Sequence, residues 1–243
     1  GALQKYHRVA DARRKAEEIL ELVDKTEKEL TEQDERIEGT VSLGCGDLAS
    51  VELLPPLFRA FRARYPAVRF DLYTGTADHI QDRMDRGLTD IGLLMEPVSV
   101  EKYEYIRLAR QEQWWAVMHP DAPLARLDRV TPQDLAGQPL ILPRRLSVQS
   151  ELACWFGEEF DKLNVVFTSN LPAISSIVAH NQLAYSITIR GSLSFWDPEK
   201  ITCRPLYPEL KATSILAWKR KQPFSPAVSK WIQFAKETLR PAG

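Results

Sequence analysis

Two loops carry the side chains best equipped for chemistry. The first is Gly44-Cys45-Gly46-Asp47-Leu48-Ala49-Ser50. Glycines let a backbone approach a guest closely, and the free N–H groups of a helix start attract anions. Cys45, Gly46 and Asp47 therefore read as a pocket floor, with a helix cap as the alternative role for Asp47 or Ser50. If Asp47 faces a guest it repels a plain carboxylate and favours an amine or a polyol. The second loop is Pro143-Arg144-Arg145-Leu146-Ser147. A guanidinium fork matches a carboxylate or phosphate, and Ser147 adds a hydroxyl at a helix start. The alternative is a solvated basic pair. Thr76 and Ala77 follow a turn at Gly75 and offer a hydroxyl and an N–H. Glu96, between Met95 and Pro97, is either a contact or a solvated loop charge. Asn170 can donate and accept at once, and Leu171 beside it can cover an apolar face. Trp114 and Trp115 occupy adjacent strand positions, so only one of them can face a cleft.

These groups suit binding better than catalysis. The chain has no GxSxG, HExxH or GxxxxGK signature, and no base and nucleophile can be paired from the sequence. It reads as a non-enzyme with no cofactor. His7, His79, His119 and His180 are scattered and do not suggest zinc. Cys45, Cys154 and Cys203 are odd in number and far apart, which fits reduced thiols in a cytoplasmic protein. Cys45 is a redox switch or, on a strand, a packing residue. The net charge of −1 gives no support to phosphate gripping by this piece. No apolar run is long enough for a membrane span, and the N-terminal stretch is not a secretory signal. A hydrophobic share of 44% with 27% charge is that of a globular domain.

The elements that would hold these loops follow from periodicity. Leu3 to Glu38 has neither Gly nor Pro and reads as one long helix. Tyr6, Val9, Ala16, Leu20, Val23 and Leu30 form a heptad stripe, broken by Arg13 and Glu27. Such a stripe needs a partner, either a second copy of the chain or the body of its own domain. From Gly39 the pattern alternates: strand 40–45, helix 50–65, strand 68–73, helix 78–86 closed by a left-handed Gly87, strand 90–95. This order predicts an α/β fold with a parallel sheet covered on both faces. A second unit has strands over 112–119, 139–142, 164–168 and 183–187, with helices over 131–135, 147–160 and 172–180. A strand at 213–218 and an amphipathic helix at 225–239 end the chain. The expected division is a helix over 1–38, one lobe from 39–110 with 213–243, and a second lobe over 111–212. Two crossings leave a cleft at the strand ends, where open α/β sheets bind ligands.

An ordered series of residues resembles the start of the effector-binding domain of LysR-type transcription regulators. It runs Gly44, Leu53-Leu54-Pro55, Phe61, Tyr65-Pro66, Val68, Gly75 and Gly87-Leu88-Thr89-Asp90-Ile91. The resemblance implies a type 2 periplasmic-binding-protein fold behind a linker helix, without the winged helix-turn-helix that grips promoter DNA. It also implies a homodimer through the linker helix and the effector domain, and a tetramer for the full-length protein. A small-molecule effector, in this family often a carboxylate, would enter the interlobe cleft. The remaining alternatives are a solute-binding protein of the same fold and a ligandless oligomerisation module. The chain departs from the family pattern in three places. Gly92 stands where Ala is frequent. Asn181-Gln182-Leu183 replaces a Gly-x-Gly turn, with Asn181 the residue expected to keep its left-handed geometry. Tyr185-Ser186-Ile187 replaces a strand ending in Leu-Pro.

Overall fold

The computed structural model describes residues 2–239, and within the first helix it describes the side chains of residues 12–30. Tyr6 and Val9 lie outside the described side chains. Helix α1 (Ala2–Glu35) is a single rod. Its exposed face is reinforced by four-residue ion pairs such as Arg13–Glu17. Leu20, Val23 and Leu30 are 64%, 47% and 56% exposed, so α1 does not pack its apolar stripe on its own domain.

The first lobe is built from β1 (Gly39–Cys45), β2 (Val68–Thr74), β3 (Ile91–Met95), β4 (Tyr103–Arg107) and β11 (Ser214–Lys219) in the order β2-β1-β3-β11-β4. β1 pairs in parallel with β2 and β3, as the alternation predicts. β11 returns from the far end of the chain and runs antiparallel between β3 and β4. Helices α2 (Leu54–Arg64), α3 (Ala77–Asp85) and α7 (Pro226–Leu239) cover the sheet. Phe58, Phe61, Phe70 and Trp231 form the aromatic centre of one face, with Phe61 and Trp231 rings edge-on at 5.2 Å.

The helix expected over 50–65 is two pieces, a 3-10 helix at Ala49–Leu53 and then α2. Pro55 and Pro56 lack an N–H and fit only the first turn of an α-helix, so α2 must start at Leu54. Gly87 does close α3 with φ of 71°. The substitution of Gly for Ala at residue 92 has a steric reason: a Cβ there would sit 2.6 Å from Met84 Sδ.

The second lobe has the order β10-β5-β8-β6-β7, from β5 (Glu112–Met118), β6 (Pro139–Pro143), β7 (Asn164–Ser169), β8 (Tyr185–Ile189) and β10 (Lys211–Ala212). β9 (Thr202–Pro205) pairs with β5 off this path. β6 runs parallel to β7 and β8, while β5 is antiparallel to β8. Helices α4 (Pro132–Leu135), α5 (Leu146–Phe156) and α6 (Pro172–His180) belong to this lobe. α5 stops at Gly157, where φ of 54° breaks the helix that the pattern carried on to residue 160. The left-handed turn after α6 falls on Gln182 (φ 58°) and not on Asn181. Asn181 instead turns its Nδ2 back to donate to Ile177 O at 2.9 Å, which caps α6. Strands β4, β9 and β10 were not expected from the sequence.

Candidate functional site

A cavity of about 110 Å³ lies between the two lobes. It sits at the C-terminal ends of the parallel strands, where helix starts and loops converge. The first lobe contributes Gly46, Asp47 and Leu48 after β1, Thr76 and Ala77 after β2, and Leu93 and Met95 from β3. The second contributes Trp114, Ile141, Leu142, Arg144, Arg145, Val148, Asn170, Leu171 and the inner residues of β8. The walls are therefore mostly apolar, with a few separated polar groups.

Eight expected site residues meet here: Gly46, Asp47, Thr76, Ala77, Arg144, Arg145, Asn170 and Leu171. Trp114 is the tryptophan that faces the cavity. Trp115, on the other face, lies under the Arg190 guanidinium at 5.1 Å. Three expected residues lie outside the lining. The Cys45 thiol is half-buried, and burial, then the Asp47 charge, pushes its pKa up, so it stays protonated. Ser147 lies within the first turn of α5, off the lining. Glu96 faces the crossings, because Arg107 holds it with Nη2 donating at 2.9 Å and Nε at 3.2 Å. The Arg107 hydrogen bonds hold the Glu96 carboxyl below its ordinary pKa against the opposing effect of burial, and Thr213 Oγ1 donates to it as well.

The two adjacent arginines have different situations. Arg145 donates from Nε to Asp78 Oδ1 at 3.1 Å, from Nη1 to Met95 O at 3.1 Å, and from Nη2 to Pro97 O. It reaches from the second lobe to the first turn of α3 and the end of β3, so it clasps the lobes together. Arg144 is exposed, and its side chain has no hydrogen bond or ion pair among the described residues. Its backbone N–H donates to Ser169 O at 2.8 Å and fixes the loop beside Asn170. Asp47 is exposed, and partial burial raises its carboxyl pKa. Thr76 caps α3 by accepting from His79 N, which leaves its hydroxyl hydrogen for a guest.

Glu112 was not foreseen. It opens β5, is 0% exposed, and its carboxylate accepts from Ala49 N (2.8 Å), Ser50 N (3.0 Å), Ser50 Oγ (2.7 Å) and Ser214 Oγ (3.1 Å). One buried carboxylate thus fixes the 3-10 helix behind the Asp47 loop and the returning strand β11. Its partners lie 62 to 102 residues away in sequence, so no local pattern marks it. Gly191 backs the same place from the second lobe; a Cβ on it would be 2.1 Å from Ala49 N. His119 and His180, distant in sequence, have ring centroids 5.7 Å apart. His119 Nδ1 accepts from Asp121 N, and His180 Nδ1 faces Lys200 O at 2.8 Å, so both rings are tied to backbone.

A family model described as the LysR substrate binding domain matches residues 34–240. The chain belongs to that family. YvbU, an HTH-type transcriptional regulator of Bacillus subtilis, is 27% identical over 221 residues, which are 90% of this chain and 74% of that protein. The Hca operon transcriptional activator HcaR of Escherichia coli is 25% identical over 205 residues, 82% of this chain and 68% of its own. Among solved structures, the effector binding domain of QuiR in complex with shikimate aligns with a TM-score of 0.71 at 17% identity. It covers 84% of this chain and 98% of that one. The CcmR regulatory domain of Synechocystis PCC6803 in complex with 2-PG aligns at 0.69 and 16%, covering 84% of this chain and 99% of that one. The LysR-domain fold is therefore the two-lobed arrangement described above. Among the described residues, no helix is long and apolar enough to cross a membrane.

Proposed function

We propose that this chain is the effector-sensing and oligomerisation part of a LysR-type transcription regulator, and that its effector is a small organic anion. The observation that carries the reading is the interlobe cavity with Arg144 free beside it. A guanidinium without a counterion next to an apolar cavity suits a carboxylate on an apolar body. Residues 39–110 with 213–243 act as one lobe, 111–212 as the other, and 1–38 as the linker. The exposed stripe of α1 supports a homodimer, with a tetramer for the full-length protein. Promoter contact belongs to a DNA-binding module joined to the linker helix, and the protein works in the cytoplasm. Asp47, Thr76 and Asn170 orient the guest, while Arg145 holds the lobes closed around it. QuiR and CcmR, which share this fold, are known with shikimate and 2-PG bound, and this supports a small-molecule role for the cavity.

The test is a thermal-shift screen of carboxylates, phosphates, amines and polyols, followed by calorimetry. Specific binding raises the apparent melting temperature by mass action. A carboxylate that binds wild type and is lost on Arg144→Ala supports the reading. Binding confined to amines or polyols, lost on Asp47→Asn, overturns the anion assignment and leaves the sensor.

A further inference from the structure

We infer that the guest is a free amino acid on a small apolar body, with its carboxylate on Arg144 and its ammonium on Asp47. The inference rests on the reading of Arg144 as the carboxylate partner and adds a cationic group to the guest.

Asp47 and Arg144 line one cavity from opposite lobes, Asp47 from the loop after β1 and Arg144 from the loop after β6. Both residues are exposed, which leaves them open to a guest. Neither side chain has a hydrogen bond or ion pair among the described residues. The other charged residue of the lining, Arg145, donates to Asp78 and to the carbonyls of Met95 and Pro97. The cavity therefore offers one uncompensated charge of each sign. Its other walls are largely apolar, with Leu93, Met95, Ile141, Val148 and Leu171 among them. A volume of about 110 Å³ is below the roughly 150 Å³ of a cavity that holds benzene, so the apolar body is short.

A guest that carries only a carboxylate satisfies Arg144 and presents its own negative charge to Asp47. Charges interact more strongly in such an enclosure than in water, so the mismatch counts. A guest that carries only an amine leaves Arg144 unanswered and faces it with a like charge. An amino acid answers both residues, each by a charge-assisted hydrogen bond. Asp47 supports the assignment in a second way. Partial burial raises its carboxyl pKa, so the folded chain disfavours this charge when nothing offsets it. A neighbouring ammonium acts in the opposite sense and keeps the carboxylate ionised.

Matched triplets read this by calorimetry: leucine against isocaproate and isoamylamine, and delta-aminovalerate against valerate and butylamine. Within at least one triplet the amino acid is expected to bind wild type at least about tenfold more tightly than either relative with a single charge, the worth of one charge-assisted hydrogen bond. Arg144→Ala should weaken the amino acid by a similar factor. Asp47→Asn should also weaken it about tenfold, yet leave isocaproate or valerate bound as before or more tightly, because the repulsion is gone. A merely structural role for Asp47 would weaken amino acid and acid alike, and that result overturns the inference. Both substitutions fall on exposed residues without partners, so melting curves in the absence of a guest should match wild type. An acid that binds as tightly as its amino counterpart, is lost on Arg144→Ala and is indifferent to Asp47→Asn overturns the inference while the carboxylate reading stands. An amine that binds as tightly as the amino acid and is untouched by Arg144→Ala overturns both. Silence from every member overturns the inference, and the wider screen of acids then decides the carboxylate reading alone.

Discussion

Arg144 and Arg145 are adjacent and chemically identical, yet the structure uses them differently. Each guanidinium nitrogen of Arg145 donates one hydrogen bond within the chain, three of its five N–H groups in all. Arg144→Ala should therefore weaken a carboxylate guest at least about tenfold by calorimetry while leaving the melting temperature unchanged. Arg145→Ala should lower the melting temperature without any guest. Glu112 is the residue whose loss should cost most. Truncation to Ala strands two N–H groups and two hydroxyls in a dry environment, so Glu112→Ala should cost more than about 3 kcal/mol in urea unfolding. Glu96 gives a pH signature. Its folded-state pKa is depressed by Arg107, so its contribution is present above the ordinary carboxylate value and is lost as pH falls through the folded value. Glu96→Gln should be less stable than wild type at neutral pH, and urea midpoints should converge as pH drops from about 5 toward 3. Eight of the 24 cavity-lining residues were legible as residue types at loop positions after strands. Their states were not, because whether an arginine is free or spent depends on Asp78 and on the carbonyls of Met95 and Pro97, far away in sequence.

The elements were legible where a period runs uninterrupted. β1, β2, α3 and β3 fall within a residue or two of their sequence pattern, since each has several apolar residues at one spacing. The pattern misled where a backbone rule overrides it, as at Pro55-Pro56 and Gly157. It was silent for β4, β9 and β10, short strands with mixed exposure that exist because a neighbour offers a free edge. Helix α1 presents the clearest element-scale test. Its exposed Leu20, Val23 and Leu30 have no partner surface within the described chain, and heptads of this kind are buried by a second helix. The double variant Leu20→Glu and Val23→Glu should shift the proposed dimer toward monomer in sedimentation equilibrium. The melting of the two lobes should stay as in wild type, because neither side chain touches them.

At the scale of the whole molecule, the order of strands and helices foretold two lobes with the last strand and helix returning to the first. It did not foretell that the lobes are joined by more than their two crossings. Arg145 spans the mouth, Glu112 pins the 3-10 helix and β11 behind it, and Gly191 allows the lobes to meet at Ala49. Asp78→Ala should therefore open the cleft, visible as a larger radius of gyration by small-angle scattering that returns toward wild type when a guest saturates the cavity.

Gly191 has a use beyond biophysics. A single methyl group there is a wedge, since its carbon would fall 2.1 Å from a backbone nitrogen of the other lobe. A full-length regulator carrying Gly191→Ala becomes a genetic instrument, an allele held ajar. Its promoter output should stay at one level whatever metabolite the cell contains. That output would show which lobe geometry the transcription machinery takes as the message, before the metabolite itself has been found.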